Sequence, residues 1–340
     1  MKRLFAALFA LCLLLSGCVL GGEPKETRYS YTFLNCFDTV TTVLGYRENE
    51  EVFLQEIKKI EADLQRYHQL FDIYNVYPGV TNLKTVNDQA AIAPVQVDKE
   101  IIALLQDCKQ YCTATNGKVN AAMGTVLQLW HEARDQGIHD PQNARLPDMQ
   151  ALEAAAQHIN FDHVILDETA NTVFFADPDL KLDVGAIAKG WATQRVAEKA
   201  PQGLLISVGG NVCATGAKRA DGTAWVVGIQ DPDSDKYLHT LNVTGGCVVT
   251  SGDYQRAYMV QGQLYHHIID PQTLMPARYW RSVTVVCDDS ALADALSTAL
   301  FLLPLEEGRE LLGRFGAEAM WLDAQGQEYF SSNFAKLLKN

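Results

Sequence analysis

From Glu51 to Leu70 apolar side chains return at helical spacing, through Phe53, Ile57, Ile60, Leu64 and Tyr67. This predicts an amphipathic helix with one buried face. Asp98 to Thr113 predicts a second helix, with Asp98 placed to cap it. Leu146 to Gln157 predicts a third, with Pro147 suited to its first turn. Phe33 to Leu44, rich in Thr and Val, reads as a strand. His163–Leu166 and Thr172–Phe175 read as a hairpin around residues 167–171. After residue 180 the texture changes. Ala186 to Lys199 is helical, and strands follow at 203–208, 224–230, 238–243, 247–250, 255–260, 264–269 and 282–287. Helices at 290–302 and 305–314 precede a final strand pair at 318–322 and 327–330. Mixed strands with segregated helices predict an α+β fold with mixed or antiparallel sheets, not a regular βαβ alternation. Neither an internal repeat nor a low-complexity tract interrupts the pattern.

The first residues follow a different rule. Lys2 and Arg3 precede an apolar run from Leu4 to Leu15, too short for a usual membrane span, and Leu15-Ser16-Gly17-Cys18 follows. The string looks like a bacterial lipobox, whose processing removes residues 1–17 and leaves Cys18 lipidated. Residues 18–28 then read as lipidated cysteine and tether, and 29–340 as one domain outside the cytoplasmic membrane. An ordinary signal peptide or uncleaved anchor is the plainer alternative. The 340-residue chain carries a formal charge of −13, and losing Lys2 and Arg3 takes it to −15. Such a surface, without a basic stripe, argues against nucleic acid as a partner. It also means that an anionic ligand needs a local cation. Of the eight cysteines, Cys12 and Cys18 belong to the leader. Cys36, Cys213, Cys247 and Cys287 sit in apolar or strand-like settings, and Cys108 and Cys112 share a helix face without partners at zinc spacing. A disulfide pairing is not readable from the spacing.

Four constellations carry polar chemistry. Leu182-Asp183-Val184-Gly185-Ala186-Ile187-Ala188-Lys189-Gly190 brings a strand end, a small-residue turn and a helix start, with N–H groups and Lys189 suited to phosphate. Simple strand-to-helix packing explains the same residues. Ser207-Val208-Gly209-Gly210-Asn211 suits a tight turn, either lining a cleft or merely closing a hairpin. Ser251-Gly252-Asp253-Tyr254, with Arg256 and Tyr258, leads to Tyr265-His266-His267-Ile268-Ile269-Asp270-Pro271. Strand alternation lets only one of the two histidines face a given cleft, though an exposed histidine pair on a hairpin reads equally well. Asp294 and Thr298 stand one helical turn apart, two hard oxygen donors of the kind magnesium accepts. An isolated pair of this kind is more often a Thr bonded to its own helix. The apolar residues around it bury the Asp, which then needs a partner.

In this order the constellations resemble the ApbE family, the FAD:protein FMN transferases. Asp183–Gly190 is similar to its Asp-x-Gly-x-Ile-Ala-Lys-Gly segment, and 208–211 to its Gly-Gly-Asp/Asn turn. Ser251–Tyr254 is similar to its Ser-Gly-x-Tyr strand, His267–Pro271 to its His-x-x-Asp-Pro, and Asp294 with Thr298 to its Asp-x-x-x-Thr. Phe71–Tyr74 sits where the family has an aromatic near the flavin, and Asn120–Trp130 resembles its Gly-Pro-Leu-x-x-Leu-Trp region. In that region Thr125 stands for the usual proline and Asn120 for the usual aspartate. The resemblance implies a T-fold-related single large domain with two lobes. It further implies a magnesium site from the Ala186 carbonyl, Asp294 and Thr298. FAD would lie beside Tyr74, Ala122, Met123, Asp183, Lys189, His267 and Ile268. The reaction implied is transfer of FMN to a Thr or Ser hydroxyl of an extracytoplasmic acceptor, with AMP released. His267 is the candidate general base, in register with the motif, with Asp270 orienting or charge-tuning it and His266 facing away. The acceptor implied is a flavoprotein of an ion-pumping or electron-transfer complex, and the membrane is a partner through Cys18. Hydrolysis of FAD to FMN and AMP, or flavin storage without transfer, are the competing readings.

Overall fold

The computed structural model describes residues 26–339, so the leader and Cys18 lie outside the described residues. The segment predicted as one strand is a hairpin, β1 (Thr27–Cys36) and β2 (Thr39–Arg47). Its two-residue turn holds Phe37 and Asp38 at φ 54° and 52°. Neither is the glycine that usually marks such a turn, which is why the break is invisible in the sequence. Helix α1 (Glu50–Phe71) follows, capped by Asn49, whose side chain accepts from the Val52 N–H. Its periodic residues are all buried.

Next come α2 (Leu83–Gln89), β3 (Val95–Gln96), α3 (Lys99–Ala114), α4 (Gly124–His139) and α5 (Met149–Ala155). Asp98 caps α3 as expected, accepting from the Glu100 N–H. Asp148, not Pro147, opens the next helix, accepting from Ala151, so Pro147 lies before the cap. The hairpin β4 (Val164–Asp167) and β5 (Thr172–Phe175) forms as predicted and pairs with β3. Helix α6 (Ala188–Lys199) then leads into β6 (Leu204–Val208) and β7 (Asn211–Ala214). The remaining strands are β8 (Trp225–Gln230), β9 (Tyr237–Val243), β10 (Gly246–Gly252), β11 (Ala257–Val260), β12 (Gln263–His266) and β13 (Ser282–Cys287). Helices α7 (Ser290–Phe301) and α8 (Leu305–Leu312) precede β14 (Glu318–Leu322) and β15 (Glu328–Phe330).

Eight strands form one antiparallel sheet in the order β1-β2-β6-β7-β10-β13-β14-β15. Its centre is buried on both faces, and the two-residue period assigns alternate side chains to different cores. Leu204, Ile206, Val208, Val249, Val283 and Val285 face the principal core with α1, α6 and α7. Leu205, Val248 and Val286 face a second core with the β8–β9 ribbon. A third core, around Trp130, Tyr258, Tyr265 and Leu274, ties α4 and α5 to the β11–β12 ribbon. The result is the expected α+β architecture, a single domain whose smaller lobe carries the third core.

Candidate functional site

A cavity of about 540 Å³ opens where the principal and third cores meet. That volume suits a small organic ligand. Its floor starts at β6 and β7, joined by Gly209 and Gly210 at φ 55° and 94°. A Cβ at Gly209 would stand 2.5 Å from the Thr39 hydroxyl, so only glycine lets this turn lie against the β1–β2 turn. The tight turn delivers Asn211, whose Nδ2 donates to Asp294 Oδ2 at 2.9 Å. The Gly190 N–H donates to the same oxygen at 2.8 Å. Here α6 and α7 touch backbone to backbone: a Cβ on Gly190 would lie 2.3 Å from the Ser290 carbonyl.

Asp294 is therefore a buried carboxylate with one oxygen committed to the protein. Its Oδ1 makes no hydrogen bond among the described residues, and Lys189 Nζ lies 3.8 Å from Oδ2. Thr298 does not bond back to its own helix through its hydroxyl; the neighbouring Ser297 does so, to the Asp294 carbonyl, and also meets Ser251. Ala186, Asp294 and Thr298 all line the one cavity. Carbonyl, carboxylate and hydroxyl oxygens are the donors magnesium prefers, so the residues present fit that ion.

Another part of the cavity wall comes from the end of β12. The strand stops at His266, three residues short of the predicted end. His266 is turned inward: its Nε2 meets the Ala277 carbonyl at 2.7 Å, its Nδ1 accepts from the Ile268 N–H, and its ring packs edge-on against Phe301. His267 lines the cavity, and its buried Nδ1 has no partner. Burial, reinforced by Arg256, by the neighbouring His266 and by the cations Lys189 and Arg134, pushes its pKa down to about 3. The imidazole is thus neutral at physiological pH, with a nitrogen able to take a proton. Ile268 lines the cavity beside it.

Two expected residues are not where the sequence reading put them. Asp270 does not orient His267: its carboxylate is held by Lys118 Nζ at 3.1 Å and by the Gln272 N–H at 2.8 Å. The buried carboxylate is satisfied by the following turn through Gln272 and by a cation from the segment between α3 and α4, Lys118. Ala122 is fully buried and does not line the cavity; its N–H donates to Asn120 Oδ1. Asn120 and Thr125, the departures from the family pattern, brace the loop by donating to the Ile159 and Asp179 carbonyls. Met123, next in line, does reach the cavity.

Tyr74 stands exposed at the rim, its hydroxyl 2.9 Å from His131 Nδ1. His131 Nε2 lies 3.8 Å from Asp183 Oδ2, and Asp183 Oδ1 accepts from the Gly185 N–H at 2.8 Å. Burial lowers the His131 pKa, and Asp183 partly offsets it. His131 and Arg134 lie on α4, a helix outside the predicted elements, and so are not among the expected site residues. Apolar positions at Val126, Trp130 and Gly137 carry that helix's buried face and were the available signal. The sequence reading also missed that Asn211 anchors Asp294. Of residues 251–258, Ser251, Tyr254, Gln255 and Arg256 line the cavity. Asp253 pairs with Arg281, and Tyr258 packs into the third core.

The sequence profile described as the ApbE family matches residues 27–321. A Treponema pallidum protein named FAD:protein FMN transferase is 35% identical over 260 residues, covering 71% of this chain and 70% of its own length. A Klebsiella pneumoniae protein of the same name is 33% identical, covering 73% of this chain and 78% of its own. Among solved structures, the ApbE protein of Thermotoga maritima superposes with a TM-score of 0.81 at 27% identity, over 92% of this chain and all of its own. The flavinyl transferase ApbE of Pseudomonas stutzeri gives 0.75 at 25%, over 93% and 98%. With an acidic anchor, cations and a neutral histidine gathered at one cavity, and with these matches over nearly its whole folded length, the chain belongs to the ApbE family.

Proposed function

We propose that this protein is an FAD:protein FMN transferase that moves FMN from FAD to a Thr or Ser hydroxyl of an acceptor protein and releases AMP. The observation that carries the reading is that neutral His267 lines the same cavity as Asp294 and Thr298, with Lys189, Arg134 and Arg256 around it. Lys189 and the arginines would receive the pyrophosphate that an acidic protein otherwise repels. Magnesium, held by the Ala186 carbonyl, Asp294 and Thr298, would supply charge stabilisation to the phosphate oxygens. Tyr74, Met123, Asp183 and Ile268 would contact the flavin dinucleotide.

The acceptor hydroxyl attacks the FMN-side phosphorus, the bond to the AMP oxygen breaks, and His267 takes the hydroxyl proton. A pyrophosphate seated among the cations cancels their share of the depression of the His267 pKa and makes the base stronger when substrate is bound. The lipobox-like leader supports a lipid-anchored, extracytoplasmic enzyme acting on a flavoprotein of an ion-pumping or electron-transfer complex.

Incubation of the full chain with FAD, magnesium and an acceptor domain carrying a flavinylation threonine tests the reading. Covalent flavin fluorescence on the denatured acceptor is the expected result. FMN and AMP without labelled acceptor would mean hydrolysis, and unchanged FAD would mean a binding protein only.

A further inference from the structure

Three cysteines stand in one row across the middle of the large sheet. Cys247 is the register partner of Cys213 on β7 and, on its other side, of Cys287 on β13. Directly opposed residues of antiparallel strands have Cα atoms about 4.5–5.5 Å apart, inside the range that a disulfide spans. Two of the three sulfurs are in contact, Cys213 Sγ and Cys247 Sγ at 2.6 Å. The third is engaged elsewhere: Cys287 Sγ donates to the Asp289 carbonyl at 3.0 Å, at the cap of α7. All three are buried.

We propose that Cys213 and Cys247 form a cross-strand disulfide, with Cys287 remaining a thiol. The oxidant is a disulfide of the thiol–disulfide class. One cysteine thiolate attacks it, forming a mixed disulfide and expelling one oxidant thiol. The second cysteine then attacks the mixed disulfide, closing the Cys213–Cys247 bond and expelling the other thiol. Two electrons and both protons leave with the reduced oxidant. The neighbouring Cys213 thiol and burial hold Cys247 well above the usual thiol range, so the exchange belongs to the chain before β10 closes over β7. Once closed, the bond lies beyond the reach of soluble reductants.

The position links the bond to the site. Two residues along from it in the same ladder, Asn211 pairs with Val249, and Asn211 is the side chain that holds Asp294. Ser251, further along β10, meets Ser297 on α7. A covalent tie between β7 and β10 therefore fixes the register of the two strands beneath the candidate metal site.

The test uses the full chain, refolded from the reduced state with glutathione and glutathione disulfide, then alkylated under denaturing conditions without reductant. Peptide mass mapping should find Cys213 linked to Cys247 and two hydrogens lighter, with Cys36, Cys108, Cys112, Cys287 and any leader cysteine retained outside that link. Alkylation of both Cys213 and Cys247, or a Cys247–Cys287 link, overturns the proposal. Thermal unfolding adds a second readout. Prior reduction of the denatured chain should lower the midpoint by about 5 °C in the wild type and in Cys287→Ala. Cys213→Ala should be insensitive to that reduction, and an unchanged wild-type midpoint counts against the bond. The mapping needs only the wild type, so it decides the matter even if a variant fails to fold.

Discussion

On the α6–α7 side of the cavity, Asp294 is gripped by two donors and Ser297 bridges to Ser251 before any ligand arrives. On the β12 side, His267 presents a buried nitrogen with no partner, and Arg256 has no carboxylate partner among the described residues. The first wall is preorganised and holds its geometry through backbone contacts that admit no extra atom. The second keeps its polar atoms unspent. The contrast separates positioning a charge from performing a proton transfer: one requires fixed donors, the other a group free to change partners.

The largest expected effect comes from removing the unspent group. His267→Ala should retain FAD but lose transfer by about 10²–10⁴-fold, measured by flavin labelling of the acceptor. Full activity in that variant would leave the second wall without its assigned base. On the rigid wall, Gly190→Ala should destabilise the fold by about 3 kcal/mol in denaturant unfolding, because the clash is with backbone and cannot be relieved by a rotamer. A tolerated alanine would mean that the α6–α7 approach is softer than its contacts imply. Asn211→Ala removes one of two donors to a buried carboxylate and should cost about 1–2 kcal/mol, with weaker metal dependence of activity.

The smallest effect is a slope. The folded-state pKa of His267 lies near 3, below its ordinary value of 6.5, so between these values the unfolded chain binds the proton and the folded chain does not. Stability from this group is full above about pH 6.5 and declines as pH falls toward 3. His131 and His266, both also lowered by burial, act in the same direction. His267→Gln should flatten part of that slope in unfolding curves taken across the window. An unaltered slope would show that His267 titrates normally.

Legibility in the sequence followed the range of the forces involved. The α1 stripe and the Asp98 cap are local and were read correctly. The Phe37–Asp38 turn was not, because its backbone is held by a distant residue: the Phe37 N–H donates to His68 Nδ1 on α1. Strand β7 is only four residues long and follows a double glycine, so no period could establish it. In the site, motif spacing found Asp183, Lys189, His267, Asp294 and Thr298, which line one cavity. Spacing misassigned Asp270, whose true partner Lys118 is 152 residues away in the chain. Partnership across such distances is decided by packing and leaves no local trace.

The cavity lies across a seam between two separately packed interiors. Asp294 stands on a helix of the principal core, while His267 follows a ribbon of the third core. A dinucleotide lying across that seam would act as a crossbeam, pinning both interiors to one another. Melting of the smaller lobe would then require the ligand to let go, so occupancy and local order would rise and fall together. Release of a bound dinucleotide would loosen the crossbeam.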